Sequence, residues 1–536
     1  MFTTLVLAGL TVPATSAQLS SEKKSIALQF LSSVPTVPRA VGSKLAPAGA
    51  AMLVVHDPAT QRLFVINQPA RRINIIGIAN PSVPTTLGWI DVSSYGDIPT
   101  CIAIHDGLLA VGHTAFGDKT LPGAVAFFDA RSSPLPTAAQ SLVKVGSLPD
   151  NLTFSSDGHY LLSANEGEPD NAYSIDPPGS VSIIDVSSGI SSIVQSQVRT
   201  AGFTAFDGQE DDLRDAGIRI FGPGASASQD LEPECITISK DSSTAWVTLQ
   251  ENNALAIIDI VAGEVTGIAA LGTKDFMAPA NAFDASDKDG LVKITNWPVQ
   301  GLYLPDEIQY LHSKGEEFLV LANEGDARDY AGYSEESSVS SLLLDPTAYP
   351  DPSIQQDANL GRLLVTSSLG DADGDGDYDQ LYSFGARSFS IWSVNENRII
   401  WDSGSDFERI TSQTPGIVFN SSHGNNAFDD RSDAKGPEPE SVRIGKVFGR
   451  SYAFVGLERV GGVMVYDLTD PKSPSFVQYI NRRNFAVPVT KEEAGDLGPE
   501  GMAFISADDS PSGQPILVVS HEVSGTTTLF EIKKVK

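Results

Sequence analysis

The sequence contains only two cysteines, Cys101 and Cys235, in 536 residues. So few cysteines exclude a disulfide-rich scaffold and a thiolate metal site. One disulfide between them and a pair of buried free thiols in strands both stay open, because nothing in the sequence sets their separation. Long apolar runs are also lacking. No segment after the first residues reaches the ~20 residues that span a membrane, and the charged tail does not resemble a glycolipid-anchor signal.

Basic residues are scarce: 36 lysines and arginines stand against 67 acidic residues, which gives a formal net charge of −31. Such a charge repels nucleic acid and anionic membranes and attracts divalent cations and basic surfaces. The sequence therefore predicts no nucleic-acid partner. An alternative is that much of the charge only keeps an extracellular protein soluble.

The familiar catalytic motifs are missing as well. The sequence has no Gly-x-Ser-x-Gly elbow, P-loop, dinucleotide-binding glycine motif or His-Glu-x-x-His. Four of the seven histidines lie in or beside predicted strands, where structural roles are expected: His56, His105, His159 and His312. The other three are near loop ends and stay open as functional residues: His113, His423 and His521.

The first 17 residues resemble a secretory signal peptide. An apolar stretch from Leu5 to Pro13 precedes the small residues Ala14 to Ala17, although the segment before it has no Lys or Arg. Residues 1–17 are therefore predicted to be a signal peptide and residues 18–536 one domain. The protein is therefore predicted to be secreted, extracellular or at the cell surface.

A degenerate repeat runs through the chain. Its unit is a proline followed by a carboxylate, an alternating apolar strand, a turn, a second apolar strand that ends in Asn-Glu or a similar pair, and a third strand that ends in Asp. Seven copies begin at or near Ala51, Pro99, Leu148, Leu231, Pro305, Pro439 and Pro499. Short alternating strands in units of about 40 to 50 residues predict an all-β propeller of about seven blades, YVTN- or WD40-like, with the N-terminal segment closing the ring. A pair of β-sandwiches would explain the alternation but not the recurring punctuation.

Long insertions interrupt the repeats at residues 199–229, 271–303, 330–361 and 402–436. Insertions in repeat proteins usually emerge on one face, where binding sites form. The first is predicted to contain a short helix from about Gln209 to Ala216, which Gly217 ends.

An aspartate-rich loop gives the sharpest chemical signal. Carboxylates at alternate positions, with Gly376 for a sharp turn, are typical of a loop that wraps one hard cation. The pattern therefore predicts a Ca²⁺ site formed by Asp371, Asp373, Asp375, Asp377 and Asp379. The twelfth position is Tyr382 rather than a bidentate Glu, so the loop departs from an EF-hand. The alternative is a solvated acidic turn.

Ten carboxylates occupy repeated positions. Five open the first strands, namely Asp150, Glu234, Asp306, Glu440 and Glu500, and five close the second strands, namely Glu166, Glu251, Glu324, Glu458 and Glu522. If the repeats are equivalent, all ten meet at one end of the central channel, where cations, protons or hydrogen bonds must offset their repulsion. They could hold metal or act as a general acid or base. The structural alternative is that they accept main-chain N–H bonds between blades.

Four arginines lie in segments rich in glycine or aspartate: Arg328, Arg387, Arg409 and Arg431. Arginine suits bidentate binding of carboxylate or phosphate, but each has acidic neighbours, which favours structural ion pairs.

Two glycosylation sequons begin at Asn151 and Asn420 and matter only in a eukaryotic secretory route.

These motifs resemble the choice-of-anchor I family, which also includes mesenchyme-specific cell-surface glycoproteins associated with biomineralisation. The matching strings cover nearly the whole predicted mature chain: SANEGEPD, FTAFDGQEDDLRDAGIRIFGPGAS, DLEPECITIS, WVTLQENNALAIIDI, ANEGDARDY, GDADGDGDYDQLYSFGARSFSIW, FDDRSDAKGPEPESV and GPEGMAFI. The resemblance implies an extracytoplasmic seven-bladed propeller and supports a calcium loop. Some members carry an alkaline-phosphatase label. In two departures, Phe276 follows Lys274-Asp275 where relatives are expected to have a histidine, and Cys235 replaces a usual aromatic residue.

Three functional hypotheses follow. The first is a non-enzymatic secreted or surface protein that binds Ca²⁺ and contacts an extracellular matrix, mineral or surface ligand. The alternative is a calcium-dependent phosphoesterase of the alkaline phosphatase or phytase kind, which needs convergent carboxylates and a free cation such as Arg328 or Lys274. The third is a purely structural scaffold with an inert propeller, which predicts no bound metal at the channel mouth.

Overall fold

A computed structural model describes residues 26–36 and 47–535. The predicted signal peptide, residues 1–17, lies outside the described residues. Strand β1 (Ile26–Pro35) is the first strand of the described residues. Together with the strands that follow, it forms seven four-stranded antiparallel sheets, here called blades, and one five-stranded sheet.

The first four blades are continuous in sequence. Blade 1 contains β2 (Val54–Asp57), β3 (Arg62–Asn67), β4 (Arg72–Gly77) and β5 (Thr85–Asp91). Blade 2 contains β6 (Pro99–His105), β7 (Leu108–His113), β8 (Pro122–Asp129) and β9 (Ser141–Ser147). Blade 3 contains β10 (Pro149–Phe154), β11 (Tyr160–Asn165), β12 (Ser180–Asp185) and β13 (Val198–Gly202). Blade 4 contains β14 (Pro233–Ile238), β15 (Thr244–Leu249), β16 (Ala254–Asp259) and β17 (Glu264–Ala270).

The inserted sheet and the last three blades follow. The inserted sheet contains β18 (Thr273–Asp275), β19 (Gln300–Leu302), β22 (Glu336–Ser338), β23 (Leu364–Thr366) and β24 (Tyr382–Ser383). Blade 5 contains β20 (Ile308–Ser313), β21 (Glu316–Ala322), β25 (Phe389–Ser393) and β26 (Arg398–Asp402). Blade 6 contains β27 (Pro439–Val447), β28 (Arg450–Leu457), β29 (Val463–Asp467) and β30 (Ser475–Ile480). Blade 7 contains β31 (Pro499–Ile505), β32 (Ile516–His521) and β33 (Thr526–Lys534), with β1 as its fourth strand.

The first strands of the blades form a closed ring. Contacts run in cyclic order from β2 to β6, β10, β14, β20, β27 and β31, and from β31 back to β2. Apolar side chains from neighbouring blades pack together, as Phe64 and Ile73 of blade 1 do with Leu109 of blade 2. This closed ring confirms the all-β propeller and excludes a pair of sandwiches.

Strand β1 closes the last blade, as predicted. It pairs antiparallel with β33, from Ile26 opposite Lys534 to Pro35 opposite Thr526. Ile26 and Leu28 are buried among residues of blades 6 and 7. The pairing covers the outer edge of β33 and joins the two ends of the described chain in one sheet.

The insertions are folded. Phe276, Phe283, Val339 and Leu363 form a separate apolar core beside the inserted sheet. The sequence did not predict this sheet, because its strands are only two or three residues long. Short helices occupy other insertions: α1 (Glu210–Asp215), α2 (Ala227–Asp230) and α3 (Asp406–Gln413). Helix α1 confirms the predicted one, and Gly217 follows it with a positive φ of 87°.

Single-turn 3₁₀ helices complete the described secondary structure: Ile190–Ser192, Gln195–Gln197, Thr204–Phe206, Pro279–Asn281, Val339–Ser341, Pro352–Gln355 and Glu492–Ala494. Within residues 26–36 and 47–535, no helix has both the length and the apolar character that crossing a membrane requires.

Candidate functional site

The ring of first strands surrounds a cavity of about 460 Å³. Its lining includes all five carboxylates that open first strands: Asp150, Glu234, Asp306, Glu440 and Glu500. A β-bulge explains their placement in blades 4, 6 and 7. In blade 4, for example, Glu234 and Cys235 together lie opposite Thr248 between the paired residues Pro233 and Ile236. Blades 6 and 7 repeat this irregularity after their own prolines. Proline suits such a position because it has no N–H to donate to the ladder.

The second set of carboxylates lies at the same end of the channel. Glu166, Glu458 and Glu522 directly follow the second strands, and Glu251 and Glu324 lie two residues beyond theirs. The end of each second strand pairs with the start of the first strand, which brings the two sets close together. The two sets interact electrostatically. The pKa of Glu234 is raised by the charge of Asp306 from its own set and by the charges of Glu251 and Glu166 from the other. The predicted gathering of ten carboxylates is therefore present, and it spans blades 3 to 7.

Burial has the largest effect on the pKa values of the five carboxylates that line the cavity, here called the inner carboxylates. The pKa values of Glu234, Glu440 and Glu500 are raised well above the ordinary value, first by burial and then by neighbouring carboxylates. One oxygen each of Glu234 and Glu440 is buried and has no hydrogen-bond partner within the described chain. The predicted structural alternative, an N–H bond between blades, occurs instead at Glu307, which accepts from the N–H of Val442 at 2.6 Å. Burial and mutual repulsion therefore favour the protonated, neutral form of these carboxylates.

The second set of carboxylates is here called the outer set. On blades 5 and 6, cations of the chain offset the negative charge of this set. Lys435 Nζ lies 3.4 Å from Glu324 and 4.0 Å from Glu438. Arg459 contacts Glu438 at 2.8 Å and Glu458 at 3.0 Å. Although burial raises the pKa of Glu438, Lys435, Arg431 and Arg459 lower it below its usual value. This part of the mouth is charge-paired.

His423, which sequence analysis left open, lies at the same mouth. Its Nδ1 is 3.0 Å from Glu458 Oε1 and 4.0 Å from Glu522 Oε1. One nitrogen of His423 and one oxygen of each carboxylate lie within 4.8 Å of one another. The other two open histidines, His113 and His521, are buried at the ends of β7 and β32.

The inner carboxylates make stability depend on pH. Burial, and then the charge of Glu168, raise the pKa of Asp150 from 3.8 to about 6. The folded state therefore holds this proton more tightly than the unfolded chain, and the associated stability is present below pH 3.8 and is lost as pH rises through about 6. In EDTA, Asp150→Asn is expected to raise the free energy of unfolding at pH 8 by up to about 3 kcal/mol, with little effect at pH 4.

Denaturant unfolding at the two pH values measures this difference. Asp508→Asn, at an exposed position, is the matched control and is expected to have little effect at either pH. An equal effect of Asp150→Asn at pH 4 and pH 8 would contradict the pKa shift.

The aspartate-rich loop is a separate cluster. Gly374 and Gly376 have positive φ values of 78° and 97°, which allow the loop to turn. One carboxylate oxygen from each of Asp371, Asp373 and Asp379 lies within 4.8 Å of the others. Asp375 belongs to no such group among the described residues, and its side chain accepts the N–H of Asp377 at 3.1 Å.

A second group in this loop includes a residue that sequence analysis missed. Oxygens of Asp345, Asp377 and Asp379 also lie within 4.8 Å of one another. Asp345 comes from the insertion 330–361, and a parallel bridge between Leu344 and Tyr378 brings it to the loop. Asp379 is therefore shared by two groups of three carboxylates, and their hard oxygen atoms suit Ca²⁺.

The structure confirms the ion pair favoured for Arg328 and shows that Lys274 is not free either. Arg328 pairs with Asp230 and with Glu232, the latter at 3.0 Å, and its side chain is fully buried. Lys274 is buried and contacts Asp402 at 2.8 Å. Neither is the free cation that the phosphoesterase hypothesis required, because both are already held in buried ion pairs.

The other predicted ion pairs are present. Arg387 pairs with Glu408 and Arg431 with Glu438, both with buried acidic partners, whereas Arg409 pairs with Asp406 at the surface. Both cysteines are buried free thiols, Cys101 in blade 2 and Cys235 in blade 4, so the disulfide alternative is wrong.

The asparagines of the two sequons are at least partly buried. Asn420 is buried. Asn151 is partly buried, and its side-chain amide donates a hydrogen bond to Sγ of Cys235 at 3.2 Å.

The fold and its site define a β-propeller with a carboxylate-lined channel mouth and an inserted sheet. The chain belongs to the choice-of-anchor I domain family, whose model matches residues 53–471. This match confirms the family that the motifs suggested.

Two curated relatives are similar to the chain. Gigasin-3a of Magallana gigas is 35% identical over 193 residues, which cover 34% of this chain and 68% of that protein. Mesenchyme-specific cell surface glycoprotein of Strongylocentrotus purpuratus is 27% identical over 300 residues, which cover 49% of this chain and 37% of that protein. The chain therefore matches only about a third of the latter's length.

Two solved structures resemble the chain at low identity. The hydrazine synthase of Kuenenia stuttgartiensis has a TM-score of 0.47 and 12% identity, and the match covers 92% of this chain and 98% of that one. The Cps50 (Swd1) β-propeller domain of Myceliophteria thermophila has a TM-score of 0.40 and 8% identity, with coverage of 92% and 99%.

Proposed function

We propose that the chain is a non-enzymatic protein of the cell surface or extracellular space that binds Ca²⁺ at its aspartate-rich loop. The observation that carries the proposal is the pair of three-carboxylate groups that share Asp379. Asp345, Asp371, Asp373, Asp377 and Asp379 would supply the oxygen ligands, because a cation that needs six to eight oxygens draws them from several segments.

The extracellular location is supported by the relatives. One of them is named a cell surface glycoprotein, and the net charge of −31 suits a protein that must stay soluble outside the cell. The loop is exposed or partly exposed, so calcium held there keeps coordination positions open to outside ligands. Carboxylate or phosphate groups of a matrix, mineral or surface ligand fit those positions. This arrangement supports adhesion through calcium.

Calorimetric titration with Ca²⁺ tests the proposal. Asp379→Asn is expected to weaken binding at the loop by at least tenfold, because it removes a ligand from both carboxylate groups. Asp375→Asn is the matched control: it removes the same charge from the same loop but from neither group, so binding is expected to change by less than threefold. Loss of binding in Asp375→Asn with retention in Asp379→Asn would contradict the assignment.

The same samples address the phosphoesterase hypothesis. Hydrolysis of a generic phosphomonoester is expected to be absent with and without Ca²⁺, because Arg328 and Lys274 are held in buried ion pairs. Turnover that depends on Ca²⁺ and is lost in Asp379→Asn would overturn the non-enzymatic assignment.

A further inference from the structure

The Glu-Pro-Glu sequence occurs twice at the start of a blade, at residues 232–234 and 438–440. The first Glu of each, Glu232 or Glu438, precedes the proline that opens a first strand. Each lies beside two carboxylates of the outer set, so the channel mouth contains two equivalent triads. One is Glu324, Glu438 and Glu458, and the other is Glu166, Glu232 and Glu251.

Both triads have the geometry of a cation site. In each, one oxygen from every carboxylate lies within 4.8 Å of the other two. Two oxygens that each bind one Ca²⁺ at 2.3–2.6 Å lie at most about 5 Å apart, so the spacing in each triad allows one shared ion. The members also come from equivalent places in the repeat: one from the preceding blade, one before the proline and one after the second strand.

The chain itself supplies cations to the first triad. Lys435 lies near Glu324 and Glu438, Arg459 contacts Glu438 and Glu458, and Arg431 contacts Glu438. An ammonium group and two guanidinium groups thus face three carboxylates. This triad is already neutralised by the chain.

The second triad has much less compensation. Arg328 is the one cation paired with it among the described residues, and it is shared with Asp230. The equivalent of the Lys435 ammonium is missing there. Glu168, at the position equivalent to Asp326, pairs with Lys119 and with the Tyr330 hydroxyl at 2.9 Å. Glu166 and Glu251 are left without a cation of their own in the described structure.

An unsatisfied atom points to the same conclusion. Glu232 is 1% exposed, and its Oε1 has no hydrogen-bond partner within the described residues, whereas its Oε2 faces Arg328. Leaving a buried carboxylate oxygen without a partner is costly unless a cation or donor reaches it. Glu166 is only partly buried, which leaves an approach from the channel.

We propose that Glu166, Glu232 and Glu251 bind a hard divalent cation of the Ca²⁺ class at the channel mouth. The cation occupies the place that the lysine ammonium fills in the equivalent triad, and three carboxylate oxygens plus water complete its coordination. This site is separate from the aspartate-rich loop and does not depend on it.

The site can be isolated in a protein that lacks the loop site. In the Asp379→Asn background, calorimetry is expected to detect one Ca²⁺ per chain. Adding Glu251→Gln is expected to weaken that binding at least tenfold, and Glu232→Gln is expected to do the same. Glu264→Gln, which removes an exposed charge from the outer strand of blade 4, is expected to leave it unchanged.

Terbium luminescence provides a second measurement, which reports where in the protein the cation binds. Tyr330 neighbours the triad through Glu168, so Tb³⁺ at the site is expected to emit when tyrosine is excited. Tyr330→Phe is expected to reduce emission at least twofold while the affinity for Tb³⁺ changes little. Melting in EDTA shows whether each variant is folded, and Glu251→Gln leaves both partners of Arg328 in place.

Each outcome decides between the two proposals. If Asp379→Asn binds no Ca²⁺, or if both triad variants bind as tightly as their background, the channel-mouth site is wrong, and a triad neutralised by protons is the explanation. If Asp379→Asn leaves wild-type binding unchanged and Glu251→Gln abolishes it, the loop assignment fails and the channel-mouth site stands.

Discussion

Replacing Arg387 with methionine is expected to lower the free energy of unfolding by about 3–5 kcal/mol. The guanidinium is 3% exposed and contacts Glu408 Oε1 at 2.7 Å. It also donates to the carbonyls of Asp284, Ser432 and Ala434 at 2.7–2.8 Å. Methionine keeps the apolar volume of the stem but leaves a buried carboxylate and three carbonyls without their donor, so the loss exceeds that of an ordinary ion pair.

The matched control lies in the same blade. Arg398, on β26, pairs with Glu396, but its side chain is 63% exposed. Arg398→Met is expected to cost less than about 1 kcal/mol, because water screens the pair. Urea unfolding followed by tryptophan fluorescence measures both variants. Equal losses would contradict the stabilising role of the buried hydrogen-bond network around Arg387.

Replacing Leu28 with aspartate is expected to destabilise the ring by about 3–6 kcal/mol. Leu28 is buried on β1, and its N–H donates to Gln478 Oε1 of blade 6 at 2.8 Å. A carboxylate cannot stay there unpaired, so the strand separates and exposes Leu28 and Ile26, each worth ~1.5–3 kcal/mol of burial. Hydrogen exchange of the β33 amides is expected to accelerate, since β1 no longer covers that edge.

Gln29→Asp is the control for this change. Gln29 is adjacent in sequence but exposed, because neighbouring residues of a strand face opposite sides. The substitution introduces the same charge and is expected to leave both stability and β33 exchange nearly unchanged. If Gln29→Asp accelerates exchange as much as Leu28→Asp does, net charge rather than burial holds β1 in place.

The propeller was predictable because each repeat carries its own local signals. Alternating strands, a proline and a carboxylate recur, and the closed ring brings equivalent positions to one place. The ten carboxylates at the channel mouth follow from that equivalence. Helix α1 was also predictable, from Gly217 and the polar residues before it.

Other parts of the site depend on contacts that no local pattern records. Asp345 reaches the aspartate-rich loop through a bridge between two insertions. Lys435 and Arg459 lie outside the repeated pairs, so their neutralising role is visible only in the fold. Glu232 and Glu438 did leave a signal, the repeated Glu-Pro-Glu sequence, but two copies do not show whether a lysine lies beside them. The acidic residues beside Arg328 favoured an ion pair, but neither its partners Asp230 and Glu232 nor the burial of Lys274 can be read from the local sequence.

The closure of blade 7 by β1 constrains how the protein can be made. Strand β1 is synthesised before any complete blade, whereas its partner β33 is the last strand of the ring to be synthesised. During translation the early blades can form one after another, but the ring stays open and β1 stays unpaired until blade 7 has left the ribosome. Contacts this distant in sequence carry a large entropic cost before they form. A truncated product therefore lacks both its last blade and the partner of its first strand, and exposes two sheet edges to other chains.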